Sequence, residues 1–387
     1  MTDAGKKVKQ ARKLSGLTQR ELAKESGVSV STIRKLEQGE RSGARMETLH
    51  ALAKPLRLNT MDLVEKPKEE GAREETRELW AATRAELVRP PAPETDDPAT
   101  ASGVADVLAA SVPLYREHHF AELAAVLPLL LRDADTLGDD GRGVRVRVLQ
   151  LAAGVLTHTR QFDVAELVVR RALADARDRM EASASVNTLA WLLLRQGRLN
   201  EALTLATQWA DNVEPRVSRA TAAELSAWGL LLLRASGAAA RNNQTGVAAD
   251  MLKLARSAAT AIGREVRPEH ENVRTFGPTT VRMLTVEDAL VKDQPDKALR
   301  LAEHVPLYSV RPSVSVRSRH GLDVANAYAR LGRFTESFGK LSEIQAGSPE
   351  WFPNQTPARD TLQTIIDGRR TLTPEMRHMA DKLQLAL

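Results

Sequence analysis

Along nearly the whole chain, apolar residues recur at three- and four-residue spacing, the period of a helix face, and few stretches alternate as strands do. The pattern predicts an all-α protein. Within the first 65 residues the apolar runs are short and punctuated by glycine. Val8, Ala11 and Leu14 line one face of a first helix, and Gly16 suits the left-handed residue that ends it. Thr18-Gln19-Arg20-Glu21 has the form of a capping box, the hydroxyl taking a free N–H and the glutamate reaching back. A second helix through Leu22 and Ala23 stops at Gly27. Ser29 is placed to cap a third, with Val30, Ile33 and Leu36 facing inward and Gly39 closing it.

Two short helices joined by the tight turn Gly27-Val28-Ser29 form a helix-turn-helix arrangement, whose second member enters the major groove of DNA. Charge agrees with that reading. Residues 1–66 hold 14 Lys or Arg against 8 Asp or Glu, a net of +6; the other 321 residues hold 41 against 42, a net of −1. The positive excess therefore sits in the first sixth of the chain, as expected of a nucleic-acid-binding head.

Three regions follow: a head over 1–66, a connector over 67–104, and a helical array over 105–387. The connector is polar and helix-forming from Glu69 to Val88. Pro90, Pro91, Pro93 and Pro98 then exclude a helix and predict a semi-extended spacer. Beyond it a weak repeat is visible. Gly197-Arg198-Leu199-Asn200-Glu201-Ala202-Leu203 parallels Arg160-Gln161-Phe162-Asp163-Val164-Ala165-Glu166; further copies start at Asp296 and Gly332, with a poorer one over Asn243 to Leu252. The small residue in each (Ala165, Ala202, Ala298, Ser337) lets two helices approach after a short turn, and Ala190, Ala202 and Ala206 are expected at one such contact.

Composition removes whole classes of chemistry. Hydrophobic residues at 42% and charged residues at 27% exclude a disordered chain. Without cysteine there is no disulfide scaffold, thiol nucleophile or cysteine-held metal. The longest aliphatic run, Leu230 to Leu233, falls far short of the ~18 residues that span a bilayer. The N-terminus carries no apolar leader, so a cytoplasmic protein without membrane contact is expected. No phosphate-binding loop stands out: Gly138 to Gly143 lacks the required lysine. His118 and Glu122, read as sharing a helical face, are two candidate ligands and make no metal site; Ser337-Phe338-Gly339-Lys340 matches a nucleophile pattern by chance. No enzyme, cofactor, catalytic residue or metal is indicated.

The head also resembles a known family. Gly16-Leu17-Thr18-Gln19-Arg20-Glu21-Leu22-Ala23, Gly27-Val28-Ser29-Val30-Ser31-Thr32-Ile33, Leu36-Glu37-Gln38-Gly39, Thr48-Leu49, Leu52-Ala53, Leu56 and Asn59 to Leu63 are similar to the signature of XRE-type, lambda-repressor-like regulators. The resemblance implies a five-helix domain whose third helix reads base edges. It puts Val30, Ser31, Arg34 and Lys35 toward the groove and Thr18, Gln19, Thr32 and Arg41 near phosphates. The residue chemistry suits these roles: arginine bonds guanine bidentately, serine donates or accepts, and valine packs on a thymine methyl. Two departures stand out. Residues 40–47 form a longer connection without the usual proline, and Pro55 should kink or interrupt the fourth helix.

The repeats resemble the tetratricopeptide pattern, though the spacing of 37 residues and more exceeds the ideal of about 34. Four to six helix pairs would stack into a solenoid with a concave groove. An XRE head joined to such an array is similar to peptide-sensing regulators of Gram-positive bacteria, and the Ala- and Arg-rich composition suits an actinobacterial relative. That similarity implies a homodimer on an inverted-repeat operator in double-stranded DNA, switched by a peptide or small-molecule effector. First-helix positions would line the groove: Arg147, Gln150 and His158, then Asn187, Trp191 and Arg195, then Asn326 and Arg330. The charged stretch Arg264 to Arg274 breaks the helical pattern and is either a lid across the groove or a plain insertion. An alternative for the whole chain is an interaction scaffold, its array recruiting a protein partner and its head a DNA tether.

Overall fold

The computed structural model describes residues 3–38, 46–56, 58, 63, 74–89, 99–268, 271, 274–306 and 313–385. Among these the protein is all-α, with twenty α-helices and one antiparallel bridge, Val266 to Phe276. The head contains α1 (Asp3–Leu14), α2 (Gln19–Ser26), α3 (Val30–Gln38) and α4 (Met46–Ala53). Val8, Leu22, Ile33, Leu36, Leu49 and Leu52 bury together as its core, joined by Leu63. Gly16 and Gly27 both take left-handed φ, at 70° and 72°. Helix α4 ends at Ala53, two residues before Pro55, whose missing N–H cannot continue the ladder. Gly39, Arg41 and the signature residues Asn59 to Asp62 lie outside the described residues.

After α5 (Glu74–Leu79) and α6 (Ala81–Leu87) the described residues form six antiparallel helix pairs. They are α7 (Ala101–Glu117) with α8 (Phe120–Thr136), α9 (Arg142–His158) with α10 (Phe162–Asp175), and α11 (Arg179–Arg195) with α12 (Leu199–Asn212). Then come α13 (Ala222–Arg241) with α14 (Thr245–Ile262), α15 (Pro278–Val291) with α16 (Pro295–Ala302), and α17 (Val314–Arg330) with α18 (Phe334–Gly347). Two further helices follow, α19 (Thr356–Gly368), packed on α17 and α18, and α20 (Pro374–Lys382).

All six pairs share one turn. His118, Arg160, Gly197, Asn243, Asp293 and Gly332 all have left-handed φ, between 55° and 74°. The next residue in each case has ψ between 57° and 67°, and the second helix starts immediately after it. Three residues into that helix sit Leu123, Ala165, Ala202, Ala248, Ala298 and Ser337, each without solvent exposure. Five of the six are small, which is what lets the paired backbones approach. Four of the six turns put a Cβ into the left-handed region at a cost of about 1–2 kcal/mol each, offset by the packing the reversal allows. His118 is one of them. It therefore lies in the turn between α7 and α8, and the expected helical face shared with Glu122 does not exist; His119 is the neighbour of Glu122, at 3.4 Å.

The array bends until its first pairs meet its last. A single buried cluster runs from Trp80 and Val104 through Leu193 to Leu322, Trp351, Phe352 and Leu362. Across this closure His118 bonds Ser348 at 3.0 Å and Ser315 at 2.6 Å, and the Ala121 amide donates to Glu350 at 2.7 Å. The Trp351 indole N–H donates to His158 Nδ1 at 3.0 Å and stacks parallel to His118, centroids 5.2 Å apart. Residues 74–88, read from the sequence as connector, also join this body. Trp80 is fully buried, Arg84 pairs with Asp163 at 2.6 Å, and Glu86 pairs with Arg132 at 3.0 Å. The prolines at 90–98 lie outside the described residues.

Candidate nucleic-acid interface and inner groove

Local chemistry fixes the turn before α3. The Thr18 hydroxyl accepts the Glu21 N–H at 3.2 Å while the Glu21 carboxylate accepts the Thr18 N–H at 2.7 Å, which starts α2. Gly27 ends α2 by donating to the Ala23 carbonyl, and the Ser29 hydroxyl accepts the Thr32 N–H at 3.1 Å, which starts α3. Helix α3 then divides cleanly. Ile33, Leu36 and Glu37 are buried, while Val30, Ser31, Arg34, Lys35 and Gln38 are exposed. Val30 departs from its expected inward orientation: heading the helix, it lies beyond the core that covers Ile33 and Leu36 and is 39% exposed.

Behind this face a carboxylate is locked in place. Glu37, only 2% exposed, accepts from Arg12 Nε at 2.6 Å and Nη2 at 2.9 Å, and from the Gln19 amide at 2.8 Å. Burial pushes its carboxyl up, and the hydrogen bonds from Arg12 and Gln19 more than offset that, holding it below the usual carboxylate range. Gln19, expected near phosphate, thus gives its amide to the interior. Thr18 and Thr32 use their hydroxyls locally, and Arg41 is outside the described residues. The Arg12–Glu37 pair was missed by sequence reasoning. Its signal was a glutamate in the apolar register of α3, four residues after Ile33.

Within the array the structure brings together four of the eight expected groove residues. His158 meets Trp191 edge-on with centroids 4.7 Å apart, Arg195 lies over the same indole at 5.8 Å, and Asn187 precedes Trp191 by one turn of α11. Gln150 instead bonds Ser185 at 3.0 Å between α9 and α11. Arg147 reaches back to the Gly143 carbonyl, and Arg330 bonds the Leu290 carbonyl at 2.8 Å beside the α15–α16 turn. Asn326 is half-buried on α17, apart from the other four.

Three residues of this site escaped sequence reasoning. Arg234 of α13 and Arg274 lie over Trp191 at 6.0 and 5.5 Å, and Glu271 accepts from Arg274 at 3.1 Å. The stretch from 264 to 277 carries two of them and is held at both ends. Glu265 accepts the Thr279 and Thr280 N–H groups at the start of α15, Val266 bridges Phe276, and Phe276 fills the space left by Gly229. A Cβ at Gly229 would lie 2.0 Å from that ring. Burial governs ionisation here. The Tyr115 hydroxyl is pushed up to about 12, and the His118 imidazole is pushed down to about 3. His158 falls well below its ordinary value, first by burial and then by neighbouring His118 and Arg195.

Among the described residues no helix is long and apolar enough to cross a membrane, and no group of three His, Asp or Glu side chains is gathered as a metal site. Comparison with curated proteins finds no match. Among solved structures, the chain is similar to PlcR of Bacillus thuringiensis in complex with the peptide PapR7 and DNA. That likeness has 13% identity and a TM-score of 0.36, over 80% of this chain and 97% of that one. It is also similar to the apo competence regulator ComR of Streptococcus vestibularis, at 12% identity and TM-score 0.31, over 83% and 97% of the two chains. ComR of S. thermophilus, solved with DNA and its signalling peptide ComS, gives 11%, 0.30, 90% and 99%. These are distant resemblances. The head is closer to known sequence: residues 8–63 match the helix-turn-helix family model, so α1 to α4 belong to a helix-turn-helix DNA-binding domain.

Proposed function

We propose that this protein is a sequence-specific DNA-binding transcription regulator, acting as a homodimer on an inverted repeat and controlled by a ligand held in the groove of its helical array. The observation that carries the reading is the two-sided character of α3. Its inner side is pinned through Glu37 to α1 and α2, and its outer side presents Val30, Ser31, Arg34 and Lys35. A rigid helix with a short exposed row of one apolar, one hydroxyl and two cationic side chains is what base-edge readout requires. In this reading Arg34 meets a guanine, Val30 a thymine methyl, Ser31 a base edge, and Thr18, Thr32 and Arg41 the flanking phosphates. In a dimer the two reading helices would lie about 34 Å apart on one face of the duplex. The ligand must bind one arrangement of heads and arrays more tightly than another to shift the population.

Selection of duplexes from a random pool tests it. The protein should enrich a palindromic sequence, and Arg34→Ala should weaken that binding by about 1–3 kcal/mol while relaxing preference at one base step. An unenriched pool, with no duplex preferred over random competitor, would sink the reading.

A further inference from the structure

Several half-buried arginines of the array are matched by carboxylates. Arg241 and Arg319 share Glu287, Arg145 has Asp175, Arg171 has Asp135, and Arg198 has both Glu166 and Glu201. Around Trp191 the matching fails. Three guanidinium carbons lie within 6.0 Å of one indole centroid, and Glu271 is the one carboxylate paired with any of them among the described residues. Arg195 bonds only neutral groups, Gln355 Oε1 at 3.0 Å and the Asn354 carbonyl at 3.1 Å. Arg234 makes one hydrogen bond, from Nε to Asn187 Oδ1 at 2.9 Å; its two terminal nitrogens have no partner among the described residues. Burial lowers the pKa of both Arg195 and Arg234 to about 9, and neighbouring arginines push in the same direction. Guanidinium nevertheless stays charged at neutral pH. Cationic faces gathered on an indole, with a charge surplus and free N–H groups, lack an anion.

We propose that the inner groove binds an oxyanion, the carboxylate or phosphate group of a ligand, between Arg234 and Arg274 beside the Trp191 indole, with Arg195 adding to the attracting field. Planar guanidinium matches both anions through paired N–H donors. Glu271 already occupies part of this site as an internal carboxylate, accepting from Arg274 at 3.1 Å and from the Asn187 amide at 3.4 Å. A ligand anion would compete with Glu271 for Arg274 and so act on the 264–277 segment that carries both. As the anchor of an effector this site rests on the regulator reading above; as a binding site it does not, and its test contains no DNA.

The full chain is titrated with inorganic phosphate and, separately, with citrate, against chloride at matched ionic strength, following melting temperature and tryptophan fluorescence. A saturable rise with either anion is expected, at least tenfold weaker in Arg234→Gln and severalfold tighter in Glu271→Gln. Response to phosphate alone marks a phosphate-bearing ligand, response to citrate alone a carboxylate-bearing one, and either supports the site. Because Arg234→Gln removes an uncompensated charge, its melting temperature without anion should equal or exceed that of the parent; Glu271→Gln tests the site independently of that variant. The proposal is overturned if no saturable response occurs, or if both variants respond as the parent does. A failed duplex selection alongside a positive titration would remove the regulator reading and leave the anion site standing.

Discussion

Arg12 of α1 and Glu37 of α3 form a two-pronged ion pair, 2.6 and 2.9 Å long, beneath the exposed face of the helix proposed to read DNA. It sets the rotation of α3 about its own axis. In the proposed readout a few degrees of turn would carry Arg34 and Ser31 away from a base edge, so the pair would act on recognition without touching it.

Glu37→Ala should leave the Arg12 guanidinium buried and uncompensated, destabilising the head by about 3 kcal/mol. All five tryptophans lie beyond residue 66, so fluorescence is blind to the head; hydrogen exchange of the α1 to α3 amides is the readout. Faster exchange confined to those helices is expected, and the Arg12→Met, Glu37→Leu double variant should recover most of it. Since the Glu37 carboxyl is held below its unfolded value, this contribution is present above about pH 4.5 and fades as pH falls through the folded pKa.

Val30 supplies a sharper test of the proposed readout. An operator with deoxyuridine at the contacted thymine lacks one methyl group, worth about 0.8 kcal/mol if buried. The parent should lose about that much affinity for the substituted duplex. Val30→Ala should bind the two duplexes more nearly alike, and equal losses in both proteins would remove Val30 from the contact.

The closure of the array should be acid-sensitive. His118, pushed down to about 3, His158, well below its ordinary value, and His320, pushed down to about 4, are all neutral in the fold. The unfolded chain takes up protons near pH 6.5, so these groups contribute full stability above that pH and progressively less as it falls toward their folded values. Melting temperature should drop between pH 7 and 5. His118→Gln, which can still bond Ser348, should flatten that drop, and an unchanged slope would exclude His118 as its source. Trp351→Ala, which removes the stacked ring and the donor to His158, should cost about 3–5 kcal/mol at neutral pH.

Gly229 holds the 264–277 segment by absence. Gly229→Ala drives a methyl into the Phe276 ring and should cost roughly 1–3 kcal/mol. Limited proteolysis between Arg264 and Arg274 should accelerate in this variant, whereas cleavage in the head should not.

The head was legible residue by residue because its signals are local. A capping box needs four consecutive residues, a left-handed cap needs one glycine, and the exposed row of α3 follows from helical spacing alone; among the described residues Val30 at its first turn, the inward amide of Gln19 and the buried partner of Arg12 escaped. The array was legible as helices and as a repeat, but unevenly. Turns with glycine at the left-handed position, Gly197 and Gly332, announced themselves, and His118 hid one because histidine does not signal that conformation. The groove was legible in part. Asn187, Trp191 and Arg195 share α11, and period 3.6 is enough to align them.

The amino-acid sequence by itself determined the all-α class, the helix-turn-helix head and the presence of stacked helix pairs, since each depends on contacts within a few turns of chain. Tertiary structure alone decided that His118 and His158 meet Trp351 some two hundred residues later, and that Arg234 and Arg274 share the Trp191 indole. The bend of the array accumulates from small rotations at every pair, so which distant side chains converge is settled only when all the pairs have packed.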